Sequence, residues 1–197
     1  QAVLNYNDTG LSILEIGHRT SLFQEVMDET RALVKELMKL DDEHEVLFLH
    51  GGASTKFMQV PMNLLDDKET AAFTDTGVWS TKAIKEAKLF GKVEVVCSSK
   101  ESNFSFIPKD FAVPNDARYL HITTNNTIYG TQWQKITKTS NSLVADMSSD
   151  ILSRVMDFNT FDLIYAGAQK NMGAAGVNLV VVNKNILGKI KRNIPTI

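Results

Sequence analysis

Two short apolar runs about twenty residues apart restrict the fold more than anything else in this chain. The first, LVADMSSD from Leu143, ends in an acid, as expected for a buried strand that delivers a side chain at its C-terminal edge. The second, FDLIYAGA from Phe161, stops at Gln169-Lys170, and Asn171, Gly173 and Gly176 follow. Lys170 is a candidate nucleophile, and Asp146 is a candidate charge partner for a heterocyclic cation. Taken singly, a lysine at a strand end is a solvated side chain and an acid there caps the next helix. Taken together, buried strand, acid, strand and lysine describe a built site.

The remainder repeats the alternation of strand, loop and helix. Residues 1–19 read as irregular, and Thr20–Leu40 as an amphipathic helix with no chemistry of its own. Val46–Leu49 is a short strand, followed by His50-Gly51-Gly52-Ala53-Ser54-Thr55 and the helix-like FMQVPMNLL. Glycines let a backbone approach a ligand closely, and free amides at a helix start favour an anion. A phosphate is therefore expected on the amides and hydroxyls of Gly52, Ala53 and Ser54, with a plain turn as the competing reading. Ala71–Gly77 is a strand, and Val78-Trp79-Ser80 opens the helix TKAIKEAKLF, with Gly91 expected at C′. Trp79, at that junction, can stack on a flat ring or fill the core.

Val93–Ser98 reads as a buried strand, residues 99–117 as a polar connection, and Arg118–Thr124 as an alternating strand. The strand runs into Asn125–Gly130, a turn-like cluster that contains Thr127. A last buried strand spans 177–182, and Asn183–Arg192 start a short basic helix. Five or more such units, each with small or polar residues at the strand's C-terminal edge, argue for an α/β domain with its ligand loops on one rim.

The segments ADMSSD, AGAQKNMG, GGASTKFMQVPMNLL, GVWS, TNNTIYGT and GLSILEIGHRT resemble those of the phosphoserine aminotransferase family, fold-type I, class V pyridoxal-phosphate enzymes. The resemblance covers almost the whole chain. It implies an aspartate-aminotransferase-like large domain, a mostly parallel mixed sheet flanked by helices. Residues 1–197 would be that pyridoxal-phosphate-binding domain, with 1–19 as an irregular arm and the small C-terminal domain missing. It implies Lys170 as the Schiff-base lysine, Asp146 on the cofactor's ring nitrogen, Trp79 stacked on the ring, and Thr127 and Gln169 as further cofactor contacts. Gly52, Ala53 and Ser54 would hold the cofactor phosphate, and His18 and Arg19 the substrate phosphate, reaching in from a neighbouring subunit.

The implied reaction moves an amino group from glutamate to 3-phosphohydroxypyruvate by ping-pong kinetics, giving O-phosphoserine and 2-oxoglutarate. It belongs to serine biosynthesis, with vitamin B6 synthesis as a further branch. The implied form is a cytoplasmic homodimer. The chain departs from the family at Lys56, where glutamine is common, and at Ser54, where some members carry arginine.

Composition narrows the partners. A formal charge of −2 gives no polyelectrolyte signature, so neither nucleic acid nor an anionic membrane is expected. No run of about 18 apolar residues exists, and QAVLNYNDTG does not read as a signal peptide. Cys97 is the one cysteine, which fits a reducing compartment, and its neighbours make it structural rather than nucleophilic. Histidines 18, 44, 50 and 121 show no metal-ligand spacing. Two other readings stay open: a different fold-type I enzyme, of alanine-glyoxylate aminotransferase or cysteine desulfurase type, and a non-catalytic truncated form. The first would not need His18-Arg19.

Overall fold

A computed structural model describes residues 2–136 and 139–194, which divide into two compact units, 1–39 and 40–197. The ends of the expected domain, Gln1 and residues 195–197, lie outside the described residues. The first unit is a series of turns leading into α1 (Ser21–Met38). Thr20 caps that helix, its hydroxyl accepting from the Phe23 amide at 3.3 Å. Lys39, at φ 51°, turns the chain out of it.

The second unit runs β1 (His44–His50), α2 (Ala53–Leu64), β2 (Thr70–Asp75), α3 (Val78–Ala87), β3 (Lys92–Ser98) and β4 (Ala117–Thr123). A short hairpin follows, β5 (Asn125–Asn126) and β6 (Thr131–Gln132). The chain then forms β7 (Ser142–Asp146), β8 (Leu163–Gly167), the single turn α4 (Ala168–Asn171) and β9 (Val177–Asn183).

Among the described residues seven strands form one sheet in the order β1-β9-β8-β7-β4-β2-β3. Neighbours from β3 to β8 pair parallel, whereas β9 runs antiparallel to both β8 and β1. Strand β1 therefore points the same way as β8. The C-terminal ends of β1, β2, β4, β7 and β8 share one rim, where α/β sheets bind ligands. The architecture is the expected mostly parallel mixed sheet flanked by helices. Phe57, Val60 and Leu64 of α2 and Ala83, Ile84 and Ala87 of α3 bury the face that carries Phe73, Tyr119, Val144, Tyr165 and Val180. Full burial of an aromatic such as Phe73 contributes about 1.5–3 kcal/mol, which fixes the strands beneath the rim.

Four local expectations are corrected. The helix after the glycine loop starts at Ala53 rather than near Phe57, so Ala53 and Ser54 are its first turn. Helix α3 ends at Ala87, and Gly91 is not its left-handed C′ residue. A Cβ at Gly91 would lie 2.7 Å from Leu65 Cγ, so close packing explains that glycine. Strand β3 is a sheet edge with Glu94 and Val95 exposed, because among the described residues no strand pairs with its outer side. Its Cys97 is half-buried, and burial, with the Asp75 charge, pushes the thiol up to about 11. Asn183–Arg192 forms only a 3-10 turn at Lys184–Ile186, after which Asp66 accepts from the Lys191 and Arg192 amides.

Candidate active site

Lys170 sits in the one-turn helix α4, into which β8 runs directly. Strand β8 is buried throughout, while Gln169, Lys170 and Asn171 are exposed. The Lys170 Nζ donates to Thr127 Oγ1 at 2.9 Å and lies 5.3 Å from the centroid of the Trp79 ring. Lys82, one turn along α3, places its Nζ 4.7 Å from the same ring. Loops following three different strands thus meet at one amine.

Asp146, the last residue of β7, is buried. Its Oδ1 accepts from the Ser148 amide at 3.0 Å and from Ser148 Oγ at 2.7 Å. Ser148 Oγ accepts in turn from the Gly167 amide at 3.1 Å, which ties the acid to the end of β8. Burial pushes the Asp146 carboxyl above the usual carboxylate range; the Ser148 hydrogen bonds and the Lys170 charge oppose that, and Asp150 adds to it.

The glycine loop reaches the same place. A Cβ on Gly167 would lie 2.8 Å from Gln169 Oε1 and 3.4 Å from Ala53 Cβ, so the start of α2 abuts the end of β8. Asn178 of β9 holds the loop by donating from Nδ2 to the Gly51 carbonyl. Gly52 is the N-cap and makes no side-chain cap bond; the Thr55 amide donates to the Gly52 carbonyl at 3.0 Å, and the Ala53 and Ser54 amides of this twelve-residue helix stay available. The space that a Gly52 Cβ would enter is open.

The structure therefore gathers Gly52, Ala53, Trp79, Thr127, Asp146, Gln169 and Lys170 at one rim. Ser54 shares the first turn of α2 and is exposed. His18 and Arg19 belong to the first unit, exposed in the turn before α1, and the site described here is made from the second unit alone. Three residues escaped sequence reasoning. Ser148 was signalled by its spacing two residues after Asp146, which suits an Asx turn. His121 alternates with Tyr119 and Thr123 on β4, an unusual polar insertion into a buried strand. Tyr165 gave no signal, since its relation to Asp146 exists only through strand pairing.

The aminotransferase class-V family matches residues 2–195. A phosphoserine aminotransferase of Flavobacterium johnsoniae is 57% identical over 197 residues, all of this chain and 55% of that relative. Among solved structures, one from a study of radiation damage of the Schiff base in phosphoserine aminotransferase superposes with a TM-score of 0.95 at 45% identity, covering 98% of this chain and 55% of that one. A pyridoxal-phosphate-bound phosphoserine aminotransferase from Trichomonas vaginalis gives a TM-score of 0.88 at 29% identity, with the same coverage. The chain spans slightly more than half the length of these relatives. By the extent of the family match, this chain belongs to the class-V aminotransferases.

Proposed function

We propose that the chain is the cofactor-binding part of a phosphoserine aminotransferase that uses pyridoxal phosphate. The observation that carries the reading is Lys170 Nζ, an exposed amine bonded to Thr127 and beside Trp79, one turn past a buried strand whose neighbour ends in Asp146. The residues fit the cofactor part by part. The uncapped start of α2, with Gly52, Ala53 and Ser54, suits a phosphate. The Trp79 indole offers a stacking face, and Asp146 a buried carboxylate for a ring N–H. Thr127 and Gln169 supply further polar contacts.

Pyridoxal phosphate, when bound, supplies an aldehyde that condenses with amines and a ring that accepts the electron pair released at the substrate's α-carbon. Lys170 Nζ anchors it and then takes and returns the proton at that carbon. Asp146 holds the proton on the ring nitrogen. His18 and Arg19, reaching in from a neighbouring subunit, bind the substrate phosphate, a guanidinium fork and an imidazole suiting its oxygens. The substrates are glutamate with 3-phosphohydroxypyruvate and phosphoserine with 2-oxoglutarate, in serine biosynthesis with a further role in vitamin B6 synthesis. The working form is a cytoplasmic homodimer. Among the described residues no helix is long and apolar enough to cross a membrane, and no metal-ligating cluster is present.

The test is the visible spectrum of the chain with added pyridoxal phosphate, beside Lys170→Ala. A band that is fixed by borohydride and absent from the variant is the expected result. Equal spectra for the two proteins would sink the reading. Sedimentation at micromolar concentration tests association, and a stable monomer would count against the dimer.

A further inference from the structure

We propose that Asp150 is a positioning residue for Lys170: its two carboxylate oxygens staple both legs of the hairpin that carries Thr127, and so hold the Thr127 hydroxyl against the amine. The proposal rests on the reading of Lys170 as the reactive amine given above. Strands β5 and β6 pair through two residues each, Asn125 with Gln132 and Asn126 with Thr131. A two-stranded ribbon that short does not hold itself together in water, so its legs must be fixed from outside. Thr124, just before β5, donates from Oγ1 to Asp150 Oδ1 at 2.5 Å. Gln132, in β6, donates from Nε2 to Asp150 Oδ2 at 3.0 Å. Thr127 lies on the loop between these two anchor points.

Asp150 is itself held in place. It is 6% exposed, its amide donates to the Met147 carbonyl at 3.1 Å, and its carbonyl accepts from the Ser153 amide at 3.1 Å. The Thr124 hydroxyl also lies 3.1 Å from the Asp146 carbonyl, but it has one hydrogen, and the charged oxygen is the nearer and stronger acceptor. Arg154, one turn on, lies 3.9 Å from Asp150 Oδ2 and donates to the Trp133 carbonyl, so a cation offsets the buried charge and grips the residue after β6. Ser149 gives the first leg a second tie by exchanging hydrogen bonds with Asn125, which leaves the second leg the more dependent on Asp150. The opposite side of the hairpin offers contact alone. A Cβ on Gly77 would lie 2.5 Å from Asn126 Oδ1, an oxygen with no hydrogen-bond partner. The support of the amine returns to the same turn, since Asn171, next to Lys170, donates from Nδ2 to the Ile151 carbonyl at 2.5 Å. Residues 150 and 151 thus hold both members of the Lys170–Thr127 bond, one through its hairpin and the other through its helical turn.

The experiment measures reductive methylation of Lys170 by formaldehyde and cyanoborohydride in the cofactor-free chain, read by peptide mass spectrometry. An amine bonded to a neighbour attacks more slowly than a free one, and a bond of this kind corresponds to about threefold in rate. Thr127→Val should therefore speed Lys170 labelling about threefold. Asp150→Leu should speed it by the same factor, and the double variant no further, because Asp150 acts through Thr127. Asp150→Asn should label at the wild-type rate, since its Oδ1 still accepts from Thr124 and its Nδ2 donates to Gln132 once that amide turns over. A wild-type rate in Thr127→Val or Asp150→Leu overturns the proposal. So does a double variant faster than either single one, the mark of a general loosening, or an Asp150→Asn as fast as Asp150→Leu, which assigns the effect to charge. If Asp150→Leu does not fold, Gln132→Leu, at a half-buried position, frees one leg and is judged by the same cycle. No cofactor is present, so the absence of a lysine-dependent band would sink the functional reading and leave this result standing. Such a band with unmoved Lys170 labelling would do the reverse.

Discussion

The two halves of the site are built in opposite ways. Asp146, Ser148, His121 and Tyr165 are buried and held by the pairing of β4, β7 and β8. Lys170, Thr127 and Gln169 are exposed and held by a single helical turn and a hairpin loop. The buried half has its geometry fixed by the same contacts that stabilise the sheet, so its chemistry and its stability cannot be altered separately. The exposed half adds little to stability, which leaves its side chains free to be chosen for reaction. On the proposed function, an amine that detaches and swings would sit on the second kind of support, and a carboxylate that stays fixed on the first.

Lys170→Ala is the sharpest way to separate the halves. It should abolish the borohydride-fixable band altogether while moving unfolding free energy by no more than about 0.5 kcal/mol, as surface substitutions do. A large loss of stability in chemical denaturation would show that the two supports are not distinct. Ser148→Ala should do the opposite. It leaves the buried Gly167 amide without its acceptor, and a loss of about 1–3 kcal/mol is expected in the same denaturation assay.

His121 gives the comparison a pH signature. Its folded-state pKa lies near 3, below the unfolded 6.5, so the stability tied to its neutral form is complete above 6.5 and disappears as pH falls toward 3. The steepest part is worth up to about 1.4 kcal/mol per pH unit. His121→Gln should flatten the acid limb by that amount, read as the difference between variant and wild-type unfolding curves. Asp146, with its pKa raised, acts with the opposite sign, favouring the fold below 3.8 and losing that contribution as pH rises, so only the difference isolates His121. The smallest effect is expected from Thr127→Val. It removes an exposed hydrogen bond and should shift stability by less than about 0.5 kcal/mol, though cofactor titration should show affinity weakened about fivefold.

The exposed half was the more legible in sequence. Lys170, Gln169, Thr127 and the Gly52–Ser54 turn each follow an apolar run directly, and local pattern locates such positions. Asp146 was legible for the same reason. His121, Tyr165 and Ser148 matter through what lies beside them in the sheet, which depends on strand order and register, and neither is written in any single segment. Gly91 misled because a glycine after a helix has two physical explanations, a left-handed turn and a close approach, and only the position of Leu65 tells them apart. The VEVVCS run misled because its apolar character suggests two covered faces, whereas β3 takes the outermost place in the sheet.

The pairing of β1 with β9 also sets a clock on how this molecule is made. His44 lies opposite Asn183 and His50 opposite Val177, so β1 must wait for β9, which is made after all the other described strands. Until then Val46, Leu47 and Phe48 have no β partner, and the closure entropy of the intervening chain has yet to be offset. The β1 edge of the sheet closes only once β9 is made, a long-range pairing of the kind that slows folding and leaves a strand edge open to association until then. A ribosome stalled just before Val177 would hold a chain with every rim residue of the site already synthesised and the strand that leads into its glycine loop still unpaired.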